Sequence, residues 1–292
     1  MAEPSHDLRV NGIPTRVLGP TGVRVTIIGV GGFHMARPGD VGLGIRIIRT
    51  AIDEGVNFLD NAWCYHGGES ERIMGLALQG GYRDRVFLMT KNHGRDGETF
   101  RHQLEESLRR LRTDHIDLLQ FHGIHAEGEP ERIFSEGAIE EALKAREEGK
   151  IRFIGFTGHR WPHLLRQMLE RDFPWDTVQL PVNLLDWHYR SFAQEVMPLL
   201  VERGIGIIGM KSMLGGTGRM LETGVTAREA ISYALSQPIH TLVSGVDSVE
   251  VLLENLEIVR TWRPLTEAER AELRARVASY AQDGRLEHYK TA

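Results

Sequence analysis

Residues 57–78, NFLDNAWCYHGGESERIMGLAL, contain the pattern that decides the fold of this chain. A short apolar run ends at Asp60, a turn with two glycines follows Tyr65, and a segment with helical spacing of apolar residues comes next. This order predicts a buried strand, a loop and a helix. When strands and helices alternate in this way, polar side chains at the carboxyl ends of the strands converge on one site.

Two further polar residues follow apolar runs of the same kind, Lys91 in VFLMTKN and His122 in IDLLQFHG. Amphipathic segments of helical period, such as residues 99–111, separate the apolar runs. The predicted strands cover residues 25–30, 57–60, 86–90, 116–121, 151–157, 177–181, 206–210 and 241–244. Eight strands that alternate with eight helices predict an α/β fold, the (β/α)8 or TIM barrel.

Additional elements are predicted at both ends of the barrel. Residues 15–18 and 23–26 flank the sequence GPTG and predict an N-terminal β-hairpin that covers the barrel floor. Thr266, with Glu269 at the capping-box position, predicts an extra C-terminal helix. We expect residues 1–12 to be a flexible lead-in and residues 13–292 to form a single barrel domain.

The composition fits one cytoplasmic enzyme domain. The 292 residues have a formal net charge of -5, which gives no reason to expect binding to nucleic acid or to an acidic membrane. The single cysteine, Cys64, excludes an intramolecular disulfide and suits a reducing compartment. We also expect no signal peptide and no membrane helix, because long apolar runs are lacking. The oligomeric state stays open.

Together, the four polar residues suggest acid catalysis. A free phenol has a pKa near ~10, and an ammonium such as that of Lys91 favours the phenolate and is expected to lower the pKa of Tyr65. Asp60 would hold the ammonium, and His122 would form a hydrogen bond with the substrate oxygen. The predicted chemistry is protonation of a carbonyl oxygen.

Several segments resemble the aldo-keto reductase family. Residues 57–78 are similar to its signature of Asp, Tyr, Gly, Ser-Glu and Leu-Gly, and FLMTKN is similar to its strand-three lysine block. LEESLRRLRTDHIDLLQFHG resembles the segment that leads to the catalytic histidine, and SGVDSVEVLLENLE resembles the cofactor clamp. The resemblance extends from residue 15 to about residue 260. It implies reversible, NAD(P)H-dependent reduction of a small aldehyde or ketone.

The resemblance also implies roles for individual residues. The catalytic residues would be Asp60, Tyr65, Lys91 and His122. The cofactor would be bound by Gly32, Phe33, Asp60, Thr157, Gly158, Gln179, Met210, Lys211, Leu214, Ser244, Gly245, Val246, Asp247, Ser248, Glu254 and Asn255. The substrate would contact Phe33, His34, Tyr65, His122 and Trp187.

Two departures from the family pattern concern the cofactor. The family usually places an aromatic ring after strand seven, where this chain has Met210 and Lys211. Many relatives carry a cation near Asp247 to bind the 2′-phosphate of NADP(H), and a carboxylate there would repel that phosphate. NADP(H) is expected from the resemblance, and NAD(H) is plausible because of Asp247.

Two other functions are compatible with parts of the sequence. Potassium-channel β subunits share this fold and these four residues, so a nucleotide-sensing regulatory module is the alternative. The pairs His122–His125 and His159–His163 have spacings seen in metal sites, which would suit a barrel hydrolase. Pro162 interrupts the second pair, and no His-x-His follows strand one, so we predict no metal.

Overall fold

The computed structural model describes residues 8–37, 39–215 and 219–291. Its strands are Arg9–Val10 (β1), Ile13–Val17 (β2), Arg24–Thr26 (β3), Ile28–Gly31 (β4), Phe58–Asp60 (β5), Phe87–Asn92 (β6), Ile116–Phe121 (β7), Ile151–Thr157 (β8), Thr177–Pro181 (β9), Gly206–Met210 (β10) and Thr241–Gly245 (β11). Its α-helices are Gly32–Met35 (α1), Val41–Asp53 (α2), Glu69–Ala77 (α3), Gly97–Leu111 (α4), Glu129–Ser135 (α5), Ala138–Glu147 (α6), Pro162–Glu170 (α7), Phe192–Glu195 (α8), Met197–Glu202 (α9), Arg219–Glu222 (α10), Ala227–Leu235 (α11), Val249–Arg260 (α12), Glu267–Val277 (α13) and His288–Thr291 (α14).

Strands β4 to β11 form a closed barrel. Each is parallel to its neighbours, and β11 pairs with β4 to complete the ring. Helices lie between successive strands, as in the predicted (β/α)8 barrel. The bounds of β7, β8, β9 and β10 agree with the prediction, because strands covered on both faces are nearly continuous apolar runs.

The apolar run at residues 25–30 belongs to two strands rather than one. Arg24–Thr26 pairs antiparallel with β2, and Ile28–Gly31 starts the barrel. The direction changes at Ile27, whose side chain is buried. An apolar run contains no signal for such a bend, so the two strands were predicted as one.

The N-terminal hairpin closes the floor of the barrel, as predicted. Leu18 and Val25 are buried in one cluster with Phe58, Phe87 and other side chains that point into the barrel. The lead-in differs in part from the prediction. Residues 1–7 lie outside the described residues, whereas Arg9–Val10 forms strand β1, paired with β2.

The helices follow the predicted pattern, with one interruption. The helical spacing of apolar residues over 192–203 is divided between α8 and α9, because Pro198 in the first turn of α9 cannot donate a backbone hydrogen bond. Helix α13 begins with the predicted capping box of Thr266 and Glu269. Among the described residues, every helix is too short or too polar to cross a membrane.

Candidate active site

The buried Lys91 contacts two of the other three predicted catalytic residues near the carboxyl ends of the barrel strands. Asp60 ends β5, Lys91 lies in β6, and Tyr65 starts a 3-10 turn after β5. The Lys91 ammonium donates hydrogen bonds to the Asp60 carboxylate, to the Asn61 carbonyl at 2.7 Å and to the Tyr65 hydroxyl at 3.3 Å. Lys91 is only 1% exposed, so these acceptors replace its water shell.

Both members of this ion pair are held in place by their surroundings. Burial by itself lowers the pKa of Lys91, but the charge of Asp60 and the contact with Tyr65 outweigh it, and the pKa is raised above the usual lysine value. The second carboxylate oxygen of Asp60 accepts a hydrogen bond from Gln179 Nε2 at 3.0 Å. Lys91 therefore stays an ammonium next to the phenol.

The pKa of Tyr65 differs from the sequence expectation. Burial raises it to about 12, and the Lys91 charge lowers it only in part. The expected direction of the Lys91 effect is correct, but desolvation of the phenolate is the larger effect. The Tyr65 phenol therefore remains protonated over the physiological pH range.

His122 lies beside Tyr65, with the ring centroids 5.7 Å apart. Burial, with a further contribution from Lys91, lowers the pKa of His122 well below that of a free histidine. Its backbone is fixed by a hydrogen bond from the His122 amide to the Asn92 carbonyl and by one from Arg95 to the His122 carbonyl, 2.8 and 2.7 Å long. A neutral imidazole in this position can donate one hydrogen bond to a carbonyl oxygen.

The four side chains line one cleft with a volume of about 670 Å³. Gly31, Asp60, Thr157 and Met210, which are the last residues of β4, β5, β8 and β10, form part of its wall. A second cavity of the same volume lies at the opposite end of the barrel, near the starts of β10 and β11, and contains none of the four. The four predicted catalytic residues therefore all lie in the cleft at the strand carboxyl ends, where the active sites of such barrels are found.

The cleft contains about half of the residues predicted to bind the cofactor. Those that line it are Phe33, Asp60, Thr157, Met210, Lys211, Ser244, Gly245, Glu254 and Asn255. Those that do not are Gly32, Gly158, Gln179, Leu214, Val246, Asp247 and Ser248. Several of the second set have structural contacts instead: Leu214 and Val246 are buried in apolar clusters, and Ser248 caps α12.

The predicted substrate residues Phe33, His34, Tyr65 and His122 line the cleft, whereas Trp187 does not. Trp187 packs beneath the guanidinium of Arg274, 4.2 Å from the ring centroid. Arg274 belongs to α13, the extra helix, and no local sequence pattern indicates that this helix contacts the loop after β9. Trp187 is therefore placed in a helix contact rather than at the cleft.

Thr157 Oγ1 and Gln179 Oε1 are among the buried polar atoms near the cleft that have no hydrogen-bond partner in the structure. Both residues are among those predicted to bind the cofactor. A buried acceptor or hydroxyl without a partner costs free energy, so a ligand amide at this position would stabilise both. Elsewhere in the cleft, Asn255 Nδ2 donates to Ser244 Oγ at 3.1 Å, which orders these two residues. The donor and acceptor set fits a nicotinamide cofactor.

Lys211 is a second lysine of the cleft and directly follows Met210, the other residue expected in place of the family's aromatic ring. It has a left-handed backbone, with φ of 60°. Burial and then the charge of Lys91 lower the pKa of Lys211 to about 8. Its ammonium lies 5.0 Å from the ring centroid of Tyr289, so an aromatic group near Lys211 comes from the C-terminal helix α14.

His93 and His159 also line the cleft but were not predicted from the sequence to bind cofactor or substrate. Each lies two residues after a predicted site residue, Lys91 and Thr157 respectively. Since alternate residues of an extended strand point to the same face, this spacing was a usable signal. The cleft therefore contains histidines at positions 34, 93, 122, 125 and 159.

The sequence matches the Aldo/keto reductase family over residues 28–225. The chain therefore belongs to this family. The match covers seven of the eight barrel strands, β4 to β10, and so includes the strand ends near which Asp60, Lys91 and His122 lie.

Curated relatives and a solved structure agree with this assignment. Aldo-keto reductase YhdN of Bacillus subtilis is 33% identical over 69% of this chain and 63% of its own length. L-galactose dehydrogenase of Arabidopsis thaliana is 30% identical over 70% of this chain and 66% of its own length. The structure of aldo-keto reductase AKR11C1 from Bacillus halodurans in its holo form superimposes with a TM-score of 0.77 at 25% identity, covering 90% of this chain and 96% of that one.

Proposed function

We propose that this protein is an NAD(P)H-dependent oxidoreductase that reversibly reduces a small aldehyde or ketone to an alcohol. The observation that carries the proposal is the Lys91 ammonium, which contacts both the Asp60 carboxylate and the Tyr65 hydroxyl in the cleft. Family membership and relatives named as reductases and dehydrogenases support it.

In the proposed reaction, Tyr65 donates the proton to the carbonyl oxygen. Its pKa of about 12 keeps the phenol protonated, and an alkoxide is a stronger base than a phenolate, so the proton moves to the substrate. Lys91 stabilises the phenolate that remains, and Asp60 holds Lys91. The neutral His122 donates a hydrogen bond to the same oxygen and orients the carbonyl.

A nicotinamide cofactor, when bound, supplies the hydride for the carbonyl carbon. Thr157 and Gln179 would hold its carboxamide, since each has a buried oxygen without a partner. Ser244, Glu254 and Asn255 would bind the adenosine end. We propose that both NADP(H) and NAD(H) are accepted, because Asp247 is exposed near this end and carries a negative charge where relatives often carry a cation.

We further propose that the protein acts in the cytoplasm, since a chain with one cysteine needs no oxidising compartment. The regulatory alternative has less support. The relatives described above are named for reductase or dehydrogenase activity. None of these three names denotes a regulatory subunit.

The proposal can be tested with a panel of aldehydes and ketones and with NADPH or NADH, by following the nicotinamide absorbance. We expect multiple turnovers with at least one carbonyl and loss of turnover in Tyr65→Phe. Cofactor binding without turnover on any carbonyl would instead support the nucleotide-sensing alternative. Absence of cofactor binding would reject both.

A further inference from the structure

Three metal-binding atoms lie together at the edge of the cleft. Cys64 Sγ is 3.1 Å from His93 Nε2 and 3.7 Å from His122 Nδ1. All three atoms lie within 4.8 Å of one another. The histidine pairs His122–His125 and His159–His163 are close in sequence, whereas these three residues come from three different loops.

The barrel fixes the positions of the three donors. They follow β5, β6 and β7, which are neighbouring strands of the barrel. The His93 backbone amide donates to Gln103 Oε1 at 2.7 Å, and Arg95 holds the His122 carbonyl. Cys64 is exposed, so an ion can reach the cluster from solvent. The site is therefore prearranged and accessible.

The distances suit a tetrahedral ion. Zinc binds thiolate sulfur at about 2.3 Å and imidazole nitrogen at about 2.0–2.1 Å, so tetrahedral sulfur–nitrogen separations are roughly 3.6 Å. The observed 3.1 and 3.7 Å lie on either side of this value. One thiolate and two imidazoles are soft ligands, which favour zinc and similar ions over magnesium or calcium.

We propose that Cys64, His93 and His122 form a binding site for Zn²⁺ or a similar late transition-metal ion, with water as the fourth ligand. On binding, the Cys64 S–H bond breaks, the proton goes to the buffer and a metal–sulfur bond forms, without a change of oxidation state. The ion coordinates His122 Nδ1 and places positive charge beside Tyr65. It therefore inhibits carbonyl reduction, a consequence that rests on the proposed function, whereas the binding itself does not.

Cobalt(II) provides a direct test because Cys64 is the only cysteine of the chain. We expect titration of the full chain with Co²⁺ under reducing conditions to give one equivalent of tetrahedral visible bands and a thiolate charge-transfer band. Zn²⁺ should displace the cobalt and remove both. Cys64→Ser should lose the charge-transfer band, and His93→Asn should weaken Co²⁺ binding by about 100-fold or more.

His125→Asn is the matched control, since His125 lines the same cleft but is not part of the trio. It should keep the cobalt spectrum of the unmodified chain. Absence of the charge-transfer band in the unmodified chain would overturn the site, whatever the variants do. An unchanged affinity in a folded His93→Asn variant would also overturn it.

Inhibition is measured separately. Zn²⁺ should lower turnover and EDTA should restore it, and His93→Asn should need about 100-fold more Zn²⁺ for the same inhibition. Stoichiometric cobalt binding with turnover unaffected by Zn²⁺ would overturn the inhibitory part. If no carbonyl is reduced at all, the proposed function fails, and the cobalt spectrum still decides whether the site exists.

Discussion

The Lys91 ammonium lies 3.3 Å from the Tyr65 hydroxyl oxygen, with the lysine buried and the tyrosine partly buried. The contact lowers the cost of forming a phenolate, although burial keeps the pKa of Tyr65 at about 12. Lys91 therefore matters more for the phenolate left after proton transfer than for the resting phenol. Variants of Tyr65 and of Lys91 are therefore expected to have different effects on the reaction.

Tyr65→Phe should lower turnover by about 100-fold or more, because it removes the proton donor and keeps the ring. Lys91 still has Asp60 and the Asn61 carbonyl as acceptors, so the cleft should keep its shape. Cofactor affinity, measured by tryptophan fluorescence, should be nearly unchanged. Turnover close to that of the unmodified chain would exclude Tyr65 as the acid.

The two reaction directions should depend differently on pH. Reduction needs the phenol, which persists up to a pH of about 12, so Tyr65 should cause no loss of rate at mildly alkaline pH. Alcohol oxidation needs the phenolate, whose fraction rises about tenfold per pH unit below the pKa. Steady-state rates in both directions across the stable pH range would test this. A loss of reduction rate at mildly alkaline pH, with a midpoint that moves in the Lys91→Met variant, would contradict this prediction.

Lys91→Met should impair oxidation more than reduction. Without the ammonium, nothing offsets burial, and the pKa of Tyr65 should rise further. Asp60→Asn is the comparison, since it keeps Lys91 and removes the Asp60 charge, which raises the pKa of Tyr65, so this variant should change that pKa in the opposite direction. Equal losses in both directions for Lys91→Met would indicate a general structural defect rather than an effect on the phenolate.

The main parts of the site could be predicted because the sequence pattern and the barrel geometry agree. Asp60, Lys91 and His122 follow apolar runs, and parallel barrel strands bring such ends together. Their contacts could not be predicted in the same way. The pKa of Tyr65 depends on how completely the surrounding chain excludes water, which residue identity alone does not give.

Contacts between distant segments were the other limit. Lys290 and Asp186 are 104 positions apart and both fully buried, although lysine is rarely buried. No local pattern indicates such a pair. The position of Trp187 was mispredicted for the same reason. It was expected at the cleft, but it packs against Arg274, and this contact depends on where α13 docks.

Asp247→Arg should shift the cofactor preference toward NADPH by about tenfold or more, because it replaces a repulsive charge with an attractive one. Asp247 is exposed, directly before the Ser248 cap of α12, and its charge acts on His34 in the cleft. Dissociation constants for NADPH and NADH, from tryptophan quenching, give the ratio. Glu257→Arg makes the same charge change at an exposed position of α12. It should leave the ratio unchanged, and an unchanged ratio in Asp247→Arg would place Asp247 away from the phosphate.

Lys211 should destabilise the folded protein at neutral pH. Burial lowers its pKa from 10.5 to about 8, so between these values the unfolded chain binds more protons than the folded one. Stability from this group therefore rises with pH across that window. We expect Lys211→Met to raise the melting temperature near neutral pH, with the difference disappearing towards pH 10.5. The exposed Lys144→Met is the control, and a gain that does not change with pH would contradict the assignment.

Lys290→Met should strongly destabilise the fold, because it leaves buried carboxylates without their cation. The Lys290 ammonium lies 2.7 Å from Asp186 Oδ1 and 3.1 Å from Glu287 Oε1, and all three side chains are fully buried. Breaking a buried pair by removing one partner costs about 3–5 kcal/mol. Urea denaturation should show a loss of this size, with Lys144→Met as the control for removing an exposed lysine.

The double variant Lys290→Met with Asp186→Asn distinguishes lost pairing from lost packing. If uncompensated charge is the cause, neutralising Asp186 should recover part of the stability, and the double variant should lose less than the sum of the two single losses. Strict additivity would show that Lys290 acts through packing alone.

Tyr289 belongs to the same helix as Lys290 and lies against Lys211. Loosening this helix in Lys290→Met should therefore also expose the cleft, which can be measured as faster amide exchange around Lys211.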